Sequence, residues 1–146
     1  AALLDRAREN GVPIIHVQHE DDPGDVLARD TEGWRFHPRV APLTGEPVIG
    51  KRYCSAFQGT DLNERLSALG VDTIAVAGLQ TQFCVDTACR VAATLGYRVV
   101  LAADAHTTVD TPLLAAAQII AHHNSTLRTF ASIRPAAEIE FGDGRG

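Results

Sequence analysis

The stretch "DTIAVAGLQTQFCVDTACRVAATLGYRVVLAAD", residues 72–104, contains two apolar runs separated by a helical pattern. Both runs have the length and β-branched content of buried strands. Between them Val85, Cys89 and Ala92 recur at helical spacing, Thr81 is placed to cap the helix, and Gly96 ends it. Strand, helix and strand in this order predict a parallel β-α-β unit.

The same alternation extends along the chain on both sides of this unit. Residues 1–10 read as a helix, and residues 21–47 contain too many Pro and Gly for a regular element, which predicts a long loop. Further strands are expected at "VPIIHVQH" (12–19), "PVIGK" (47–51) and "LRTFAS" (127–132), and further helices at "TDLNERLSALG" (60–70), capped by Thr60 or Asp61, and "TPLLAAAQIIAHHN" (111–124), with Pro112 at its start. We therefore expect one domain over residues 1–146, a doubly wound α/β fold with helices on both faces of a parallel sheet.

Composition excludes several classes of partner. The net charge is −5 and the 13 Lys and Arg residues are spread along the chain, so no basic stripe is present for nucleic acid. The apolar runs are too short to cross a bilayer, and the first ten residues do not resemble a signal peptide. Three cysteines without CxxC spacing indicate reduced thiols rather than disulfides or a zinc site. These features favour a cytoplasmic protein.

Two residues with reactive chemistry lie at the end of a predicted strand or shortly after one. In parallel sheets ligands bind beyond the carboxyl ends of the strands, where Lys51 and Cys84 would share one edge. A helix N-terminus stabilises a thiolate, and a neighbouring lysine lowers the thiol pKa further. The backbone N–H groups of Gln80 and Cys84 could form an oxyanion hole in the same turn. Taken alone, Cys84 could equally be a small residue packed under the helix.

The other two cysteines are better explained by packing. Cys89 lies on the apolar stripe of the helix, where a buried thiol is a common filling residue. For Cys54, in the loop after Lys51, packing is favoured over a second reactive thiol.

The residues from about 11 to 132 resemble the isochorismatase-like cysteine hydrolases. The similarity rests on a lysine followed by "SAF.GT.L", on "G..T..CV..TA" around Cys84, on "GY.V....DA", and on "IIAHHN.TL". It implies a Rossmann-like sheet of strand order 3-2-1-4-5-6 and an Asp-Lys-Cys catalytic set in which the cysteine forms a thioester. The lysine maps onto Lys51, the nucleophile onto Cys84, and a non-proline cis peptide bond onto Leu79–Gln80. No cofactor is implied, and homo-oligomers, dimers or tetramers, are expected.

One part of the family pattern has no counterpart here. Family members begin with an apolar strand that carries the catalytic aspartate, whereas this sequence begins in the following helix. Asp5, Asp21 and Asp22 do not occupy the aspartate's position. The missing strand would lie in the middle of the sheet, so we expect the sequence to be N-terminally incomplete or another segment to fill the gap.

Residues in and around the long loop are candidates for binding the substrate. Apolar walls around a few polar groups are typical of a small-molecule pocket, although loop aromatics also anchor loops to a core. Four side chains are expected to line the pocket: Trp34, Phe57, Tyr53 and His19. His19 could instead cap its strand by hydrogen bonding. No metal is expected, because "VQHEDDPG" lacks the Asp-x-His arrangement of nicotinamidase relatives and His16 and His19 point to opposite faces of a strand.

Together these observations predict a cofactor-independent hydrolase of a small amide that acts through a Cys84 thioester. The alternatives are an isochorismatase-type or nicotinamidase-type hydrolase, or a non-catalytic binding domain on the same fold. The resemblance also implies that Asp104 is structural and binds loop backbone.

Overall fold

The computed structural model describes residues 1–141 and has the predicted α/β architecture. Helices alternate with short strands, and every pairing between strands in the described residues is parallel. The helices and strands are, in chain order, α1 (Ala2–Glu9), β1 (His16–His19), β2 (Val48–Lys51), α2 (Leu62–Ala68), β3 (Thr73–Leu79), α3 (Asp86–Thr94), β4 (Arg98–Thr107), α4 (Ala116–Thr126) and β5 (Ser132–Arg134). No helix among these is long and apolar enough to span a bilayer.

The chain divides into two compact units. Unit 1 comprises Ala1–Arg65 together with Phe141, and unit 2 comprises Leu66–Glu140. The division falls within α2, so this helix belongs partly to each unit. The expectation of a single domain over residues 1–146 stays a prediction.

Unit 1 is built around a two-stranded parallel sheet. β1 and β2 pair in a register that runs from His16 opposite Val48 to His19 opposite Lys51. Both strands end at this last pair, so the last residue of each strand lies at the same edge of the small sheet. His19 and Lys51 are therefore neighbours at the carboxyl end of unit 1's sheet.

An ionic cluster around Glu46 fastens the long loop of unit 1 to the sheet. Arg8 donates to both carboxylate oxygens, at 2.7 and 2.9 Å, and His16 Nε2 lies 2.8 Å from Oε2. The backbone N–H of Leu43 also donates to Oε2. The hydrogen bonds from Arg8 and Leu43, followed by that from His16, hold the pKa of Glu46 well below its usual range. The carboxylate thus joins α1, the loop and the start of β1.

Unit 2 contains a three-stranded sheet in the order β3-β4-β5. Its core is closed by completely buried side chains on β4 and on the turn after α4, Leu101 and Leu127. The pairing of β3 with β4 is irregular: Val76 lies opposite Leu101, but Gly78, two residues later, lies opposite His106. The extra residues of β4 bring His106 beside the end of β3.

The observed neighbours agree with the strand order implied by the resemblance for those strands that are present. That order counts a strand before β1 as its first, so β1 and β2 correspond to its strands 2 and 3, and β3 to β5 correspond to strands 4 to 6. The complete order 3-2-1-4-5-6, with helices on both faces, stays a prediction.

The expectation that β3 is a buried strand is wrong for the described residues. Alternate residues, including Ala75, Ala77 and Leu79, are exposed, and none of the strand falls in the buried class. Within residues 1–141, β3 pairs with a strand on one side only, β4. The described residues therefore leave apolar side chains of β3 exposed that its composition would lead one to expect buried.

The predicted helix start at Pro112 is also wrong, because α4 begins at Ala116. Thr111 Oγ1 accepts from the backbone N–H groups of Leu113 and Leu114, which closes a turn before the helix. Asp110 then accepts from the N–H of Ala116 at 2.7 Å. Side chains that bind nearby backbone groups compete with helix formation, and here they delay the helix by about one turn.

Two smaller predictions about polar side chains are confirmed. Thr60 Oγ1 accepts from the N–H of Leu62 at the start of α2, as expected of a capping residue. Asp104 accepts from the N–H of Ala136 at 2.6 Å, so it does bind loop backbone.

Candidate active site

Residues 79–85 form the turn that carries the predicted nucleophile, and we call them the cysteine turn. It begins with a cis peptide bond between Leu79 and Gln80, as the resemblance implied. Thr81–Val85 then form one π-helical turn, in which the N–H of Val85 donates to the carbonyl of Gln80 at 3.2 Å. The turn continues directly into α3. Single π-turns are often found at functional sites.

Within the cysteine turn, Cys84 lies between a buried and a solvent-facing side. Thr81 and Val85 are buried, Phe83 is half-exposed, and Cys84 is half-buried. Cys84 thus lies two residues before the start of α3, with part of its surface exposed. The backbone amides of Gln80 and Cys84 belong to this same turn, and their role as an oxyanion hole stays a prediction.

Thr81 does not cap the helix, so that prediction is wrong. Gln80 occupies the capping position without a side-chain bond, and Thr81 is completely buried. Its hydroxyl instead lies 2.9 Å from Nδ1 of His106 on β4. The other nitrogen of the His106 ring, Nε2, lies 3.0 Å from Oδ1 of Asn124 on α4, so the three side chains form a chain of hydrogen bonds. The burial of Thr81 turned its hydroxyl toward the sheet instead of the helix backbone.

Sequence reasoning assigned no role to His106 or Asn124, although both lie in the segments that carry the family resemblance. A signal was present for one of them. Asn124 stands four residues after Ile120 and three before the buried Leu127, so it lies on the apolar stripe of α4. A polar residue at such a position usually has a buried hydrogen-bond partner.

Lys51 is the centre of the second group of predicted site residues, which lies in unit 1. Only 6% of the residue is exposed, and its Nζ donates to the backbone carbonyls of Tyr53 and Cys54 at 2.8 and 3.1 Å. His19 Nδ1 is 3.4 Å from Nζ, and His19 Nε2 is 2.8 Å from a carboxylate oxygen of Asp21. We call Lys51, His19 and Asp21 the lysine cluster.

The lysine cluster contains an ordered set of donors and acceptors. A lysine ammonium can only donate, so His19 Nδ1 is the acceptor toward Lys51. His19 Nε2 then carries the hydrogen and donates to Asp21. The alternative in which His19 caps its strand is therefore replaced by a contact with the predicted catalytic lysine.

Charged residues surround the lysine cluster on its outer side. Arg52 bridges Glu20 and Asp22, at 3.0 and 2.8 Å, and Arg29 also pairs with Glu20. These arginines are mostly exposed, so their ion pairs are accessible to solvent and salt.

The predicted pocket residues Trp34, Phe57, Tyr53 and His19 all belong to unit 1. Trp34 is half-buried, its carbonyl accepts from Gln18, and the guanidinium of Arg29 lies 5.8 Å from its ring. The ring of Tyr53 is largely exposed and Phe57 is half-buried. Their role in binding substrate stays a prediction.

The outcomes for the remaining cysteines differ. Cys89 is completely buried, and burial, together with the charge of Asp86, raises the pKa of its thiol to about 12. Its packing role is confirmed. Cys54 is exposed, so packing is wrong for its side chain; its contribution is the carbonyl that accepts from Lys51.

Two further features of residues 1–141 bear on ligands. No group of three or more His, Cys, Asp and Glu side chains there is arranged to hold a metal ion. An open depression of about 380 Å³ in unit 2 is lined by none of the predicted site residues. Its lining residues are Val100, Ser132, Arg134, Glu138, Ile139 and Glu140.

The structure therefore brings the predicted residues together in two groups, each in its own unit. Unit 2 offers a thiol beside backbone amides at the start of a helix, an arrangement suited to nucleophilic attack on a carbonyl. Unit 1 offers a buried cation held by carbonyl oxygens and a histidine. The joint action of Lys51 and Cys84 stays a prediction.

Comparison with known proteins identifies the class to which this fold and these residues belong. Residues 1–129 match the isochorismatase domain, and the chain belongs to the isochorismatase family. It is 43% identical over 110 residues to a streptothricin hydrolase of Streptomyces noursei, covering 75% of this chain and 40% of that protein. It is 33% identical over 116 residues to the maleamate amidohydrolase of Pseudomonas putida, covering 69% and 54%.

A solved structure gives the same result for the fold. The crystal structure of an isochorismatase from Pseudomonas putida KT2440 superposes with a TM-score of 0.91 at 37% identity, covering 95% of this chain and 74% of that one. The chain spans about half the length of the curated relatives it matches. The relatives that it matches include a streptothricin hydrolase and a maleamate amidohydrolase.

Proposed function

We propose that this chain takes part in hydrolysing the amide C–N bond of a small molecule, with Cys84 as the nucleophile. The observation that carries the proposal is the position of Cys84, half-buried in a turn between the end of β3 and α3. Helix N-terminal amides and the helix dipole favour the thiolate, which is the reactive form of cysteine. The names of two relatives, a streptothricin hydrolase and a maleamate amidohydrolase, support an amide substrate.

The chemistry has two stages. The Cys84 thiol gives up its proton and the thiolate attacks the carbonyl carbon; the leaving nitrogen takes up that proton as the tetrahedral species collapses, so the C–N bond breaks, the amine is released and a thioester remains. Water then attacks the thioester carbonyl and releases the carboxylic acid and the thiol. The backbone N–H groups of Gln80 and Cys84 would stabilise the oxyanion in both stages.

Lys51 enters the proposal through the family resemblance. The resemblance implies that this buried ammonium belongs to the catalytic set together with the nucleophile. The carbonyls of Tyr53 and Cys54 support this role, because they satisfy two donors of the cation without neutralising it. Trp34, Phe57, Tyr53 and His19 are proposed to contact the substrate. The resemblance implies that an aspartate, which none of the acidic residues of this sequence matches, carries the proton from the thiol to the leaving nitrogen.

The nucleophile can be tested by comparing Cys84→Ala with Cys54→Ala on a panel of small primary amides, with ammonia release as the measurement. Cys84→Ala should abolish hydrolysis, whereas Cys54→Ala should retain it because the Cys54 thiol is not used. Acid quenching during turnover should trap an acyl group on Cys84, detected by intact mass and peptide mapping. Hydrolysis that persists in Cys84→Ala would exclude the thioester mechanism.

A substrate-independent measurement complements the first. At neutral pH, iodoacetamide should alkylate Cys84 faster than it alkylates N-acetylcysteine, because the backbone amides at the start of a helix favour nucleophilic attack by a cysteine placed there. Equal rates for the two thiols, together with no hydrolysis of any amide, would favour the non-catalytic binding domain.

A further inference from the structure

A chain of hydrogen bonds runs from Thr81, in the cysteine turn, through the ring of His106 to the side chain of Asn124. Thr81 is fully buried and only 4% of His106 is exposed. The chain connects three elements of unit 2: the cysteine turn, β4 and α4. Nothing in the proposed chemistry uses it, yet Thr81 lies in the same helical turn as Cys84.

The direction of every hydrogen bond in the chain follows from its last member. Asn124 Nδ2 lies 3.0 Å from the carbonyl oxygen of Ala103, which can only accept, so the amide nitrogen faces Ala103. The amide oxygen of Asn124 therefore faces His106 Nε2 and accepts its hydrogen at 3.0 Å. In the neutral imidazole, Nδ1 is then the acceptor, and the Thr81 hydroxyl donates to it at 2.9 Å.

These hydrogen bonds anchor the cysteine turn to β4 and α4, which lie far from it in sequence. Thr81 and His106 are 25 residues apart, and His106 and Asn124 are 18 apart. The irregular pairing that places Gly78 opposite His106 is what brings the ring to the end of β3. Loss of the Nδ1 acceptor would leave a buried hydroxyl without its partner and release the turn from β4.

We propose that His106 is a positioning residue for Cys84, held by Asn124 as the Nε2–H tautomer and acting through the hydroxyl of Thr81. It fixes the start of the cysteine turn, and so the direction of the thiol and of the backbone amides beside it. Small displacements of reacting groups lower rates strongly even when substrate binding is unchanged. The inference rests on the proposed function, because it assigns His106 to the same nucleophile.

Two substitutions at position 106 separate positioning from packing. Asn places a side-chain oxygen where His106 has Nδ1 and can accept from Thr81, whereas Gln reaches the place of Nε2 and keeps only the contact with Asn124. His106→Gln should lower kcat and the alkylation rate of Cys84 by about 10- to 100-fold with little change in KM. His106→Asn should retain the larger part of both rates.

A second pair of variants applies the same test from the other end of the bond. Thr81→Val removes the hydroxyl with little change in shape, and Thr81→Ser keeps it. Thr81→Val should lower kcat and the alkylation rate of Cys84 as much as His106→Gln does. The variant that combines Thr81→Val with His106→Gln should be no slower than either single variant, because both substitutions remove the same hydrogen bond. If the His106 variants do not fold, this pair decides the question.

The outcomes separate the inference from the proposed function. The measurements are iodoacetamide labelling of Cys84, kcat and KM for the best amide of the panel, and the thermal unfolding midpoint. The inference is supported if kcat and the labelling rate fall in the variants that lack the Thr81–His106 hydrogen bond, His106→Gln and Thr81→Val, whether or not the unfolding midpoint changes. Fast labelling of Cys84 that is equal in all variants overturns it while the proposed function stands. Slow labelling in the unsubstituted protein, with no amide hydrolysed, overturns both.

Discussion

The lysine cluster and the cysteine turn are held in place by different kinds of interaction. Lys51 is buried and its Nζ contacts two backbone carbonyls and His19, which in turn contacts the carboxylate of Asp21. The cysteine turn is fixed by a chain of neutral groups, Thr81, His106 and Asn124, in a buried region. A cation must keep its charge when it is removed from water, so it needs acceptors. A nucleophile needs constant geometry, which neutral bonds provide independently of salt.

The largest expected effect is the difference in alkylation between two thiols five residues apart, those of Cys84 and Cys89. Burial raises the pKa of Cys89 to about 12, so at pH 8 only about one thiol in 10⁴ is ionised. Iodoacetamide at pH 8 should therefore modify Cys84 and leave Cys89 unmodified, as peptide mapping would show. Because a raised thiol pKa delays ionisation, Cys89 should react only near pH 12 or after unfolding in urea. Labelling of Cys89 at pH 8 in the folded protein would show that α3 opens readily.

The next effect tests whether the charge of Lys51 matters. Lys51→Met keeps the length of the side chain but removes the cation, and it should reduce amide hydrolysis by roughly 10²-fold or more. The matched control is Arg52→Met, which removes an exposed charge from the neighbouring residue and should change the rate little. If the two variants lose activity equally, surface charge and not the buried cation is responsible.

The smallest effect concerns stability in unit 1. Hydrogen bonds from Arg8 and Leu43 depress the pKa of Glu46 in the folded state, so its carboxylate stabilises that state. This contribution is complete above the ordinary pKa of 4.5 and is lost as the pH falls below it toward the depressed value. Glu46→Gln should lower the thermal midpoint by a few degrees at pH 7.

The pH dependence supplies the control for Glu46. The difference between Glu46→Gln and the unsubstituted protein should shrink on going from pH 7 to pH 3, measured by circular dichroism at both pH values. Glu64→Gln, an exposed side chain of α2, should leave the midpoint unchanged at both. A Glu46 difference that is constant with pH would mean that its hydrogen bonds matter and its charge does not.

Much of the candidate site could be predicted from local pattern. The end of β3, the turn and α3 are consecutive in sequence, so the position of Cys84 near a helix start followed from periodicity. The burial of Cys89 followed from its place on the apolar stripe. The cis bond at Leu79–Gln80 came from the family resemblance alone.

Two of the errors share a physical cause, which is that several groups compete for one polar side chain. Thr81 was expected to bind the adjacent helix backbone, but a histidine 25 residues away is its partner. A helix was expected to start at Pro112, but Thr111 binds the backbone N–H groups of Leu113 and Leu114 in a turn that precedes the helix. In each case several acceptors or donors are compatible with the sequence, and packing selects one of them.

By itself, the sequence determined the parallel α/β class, the isochorismatase family resemblance, and the placement of Lys51 at the end of a strand and of Cys84 between a strand and a helix, because these depend on periodicity and short motifs. Only the tertiary structure decided which groups hold those two residues. The register shift between β3 and β4 brings His106 to Thr81, and the pairing of β1 with β2 brings His19 to Lys51. Such contacts join residues separated by tens of positions, and their energies depend on burial and direction, which no local pattern contains.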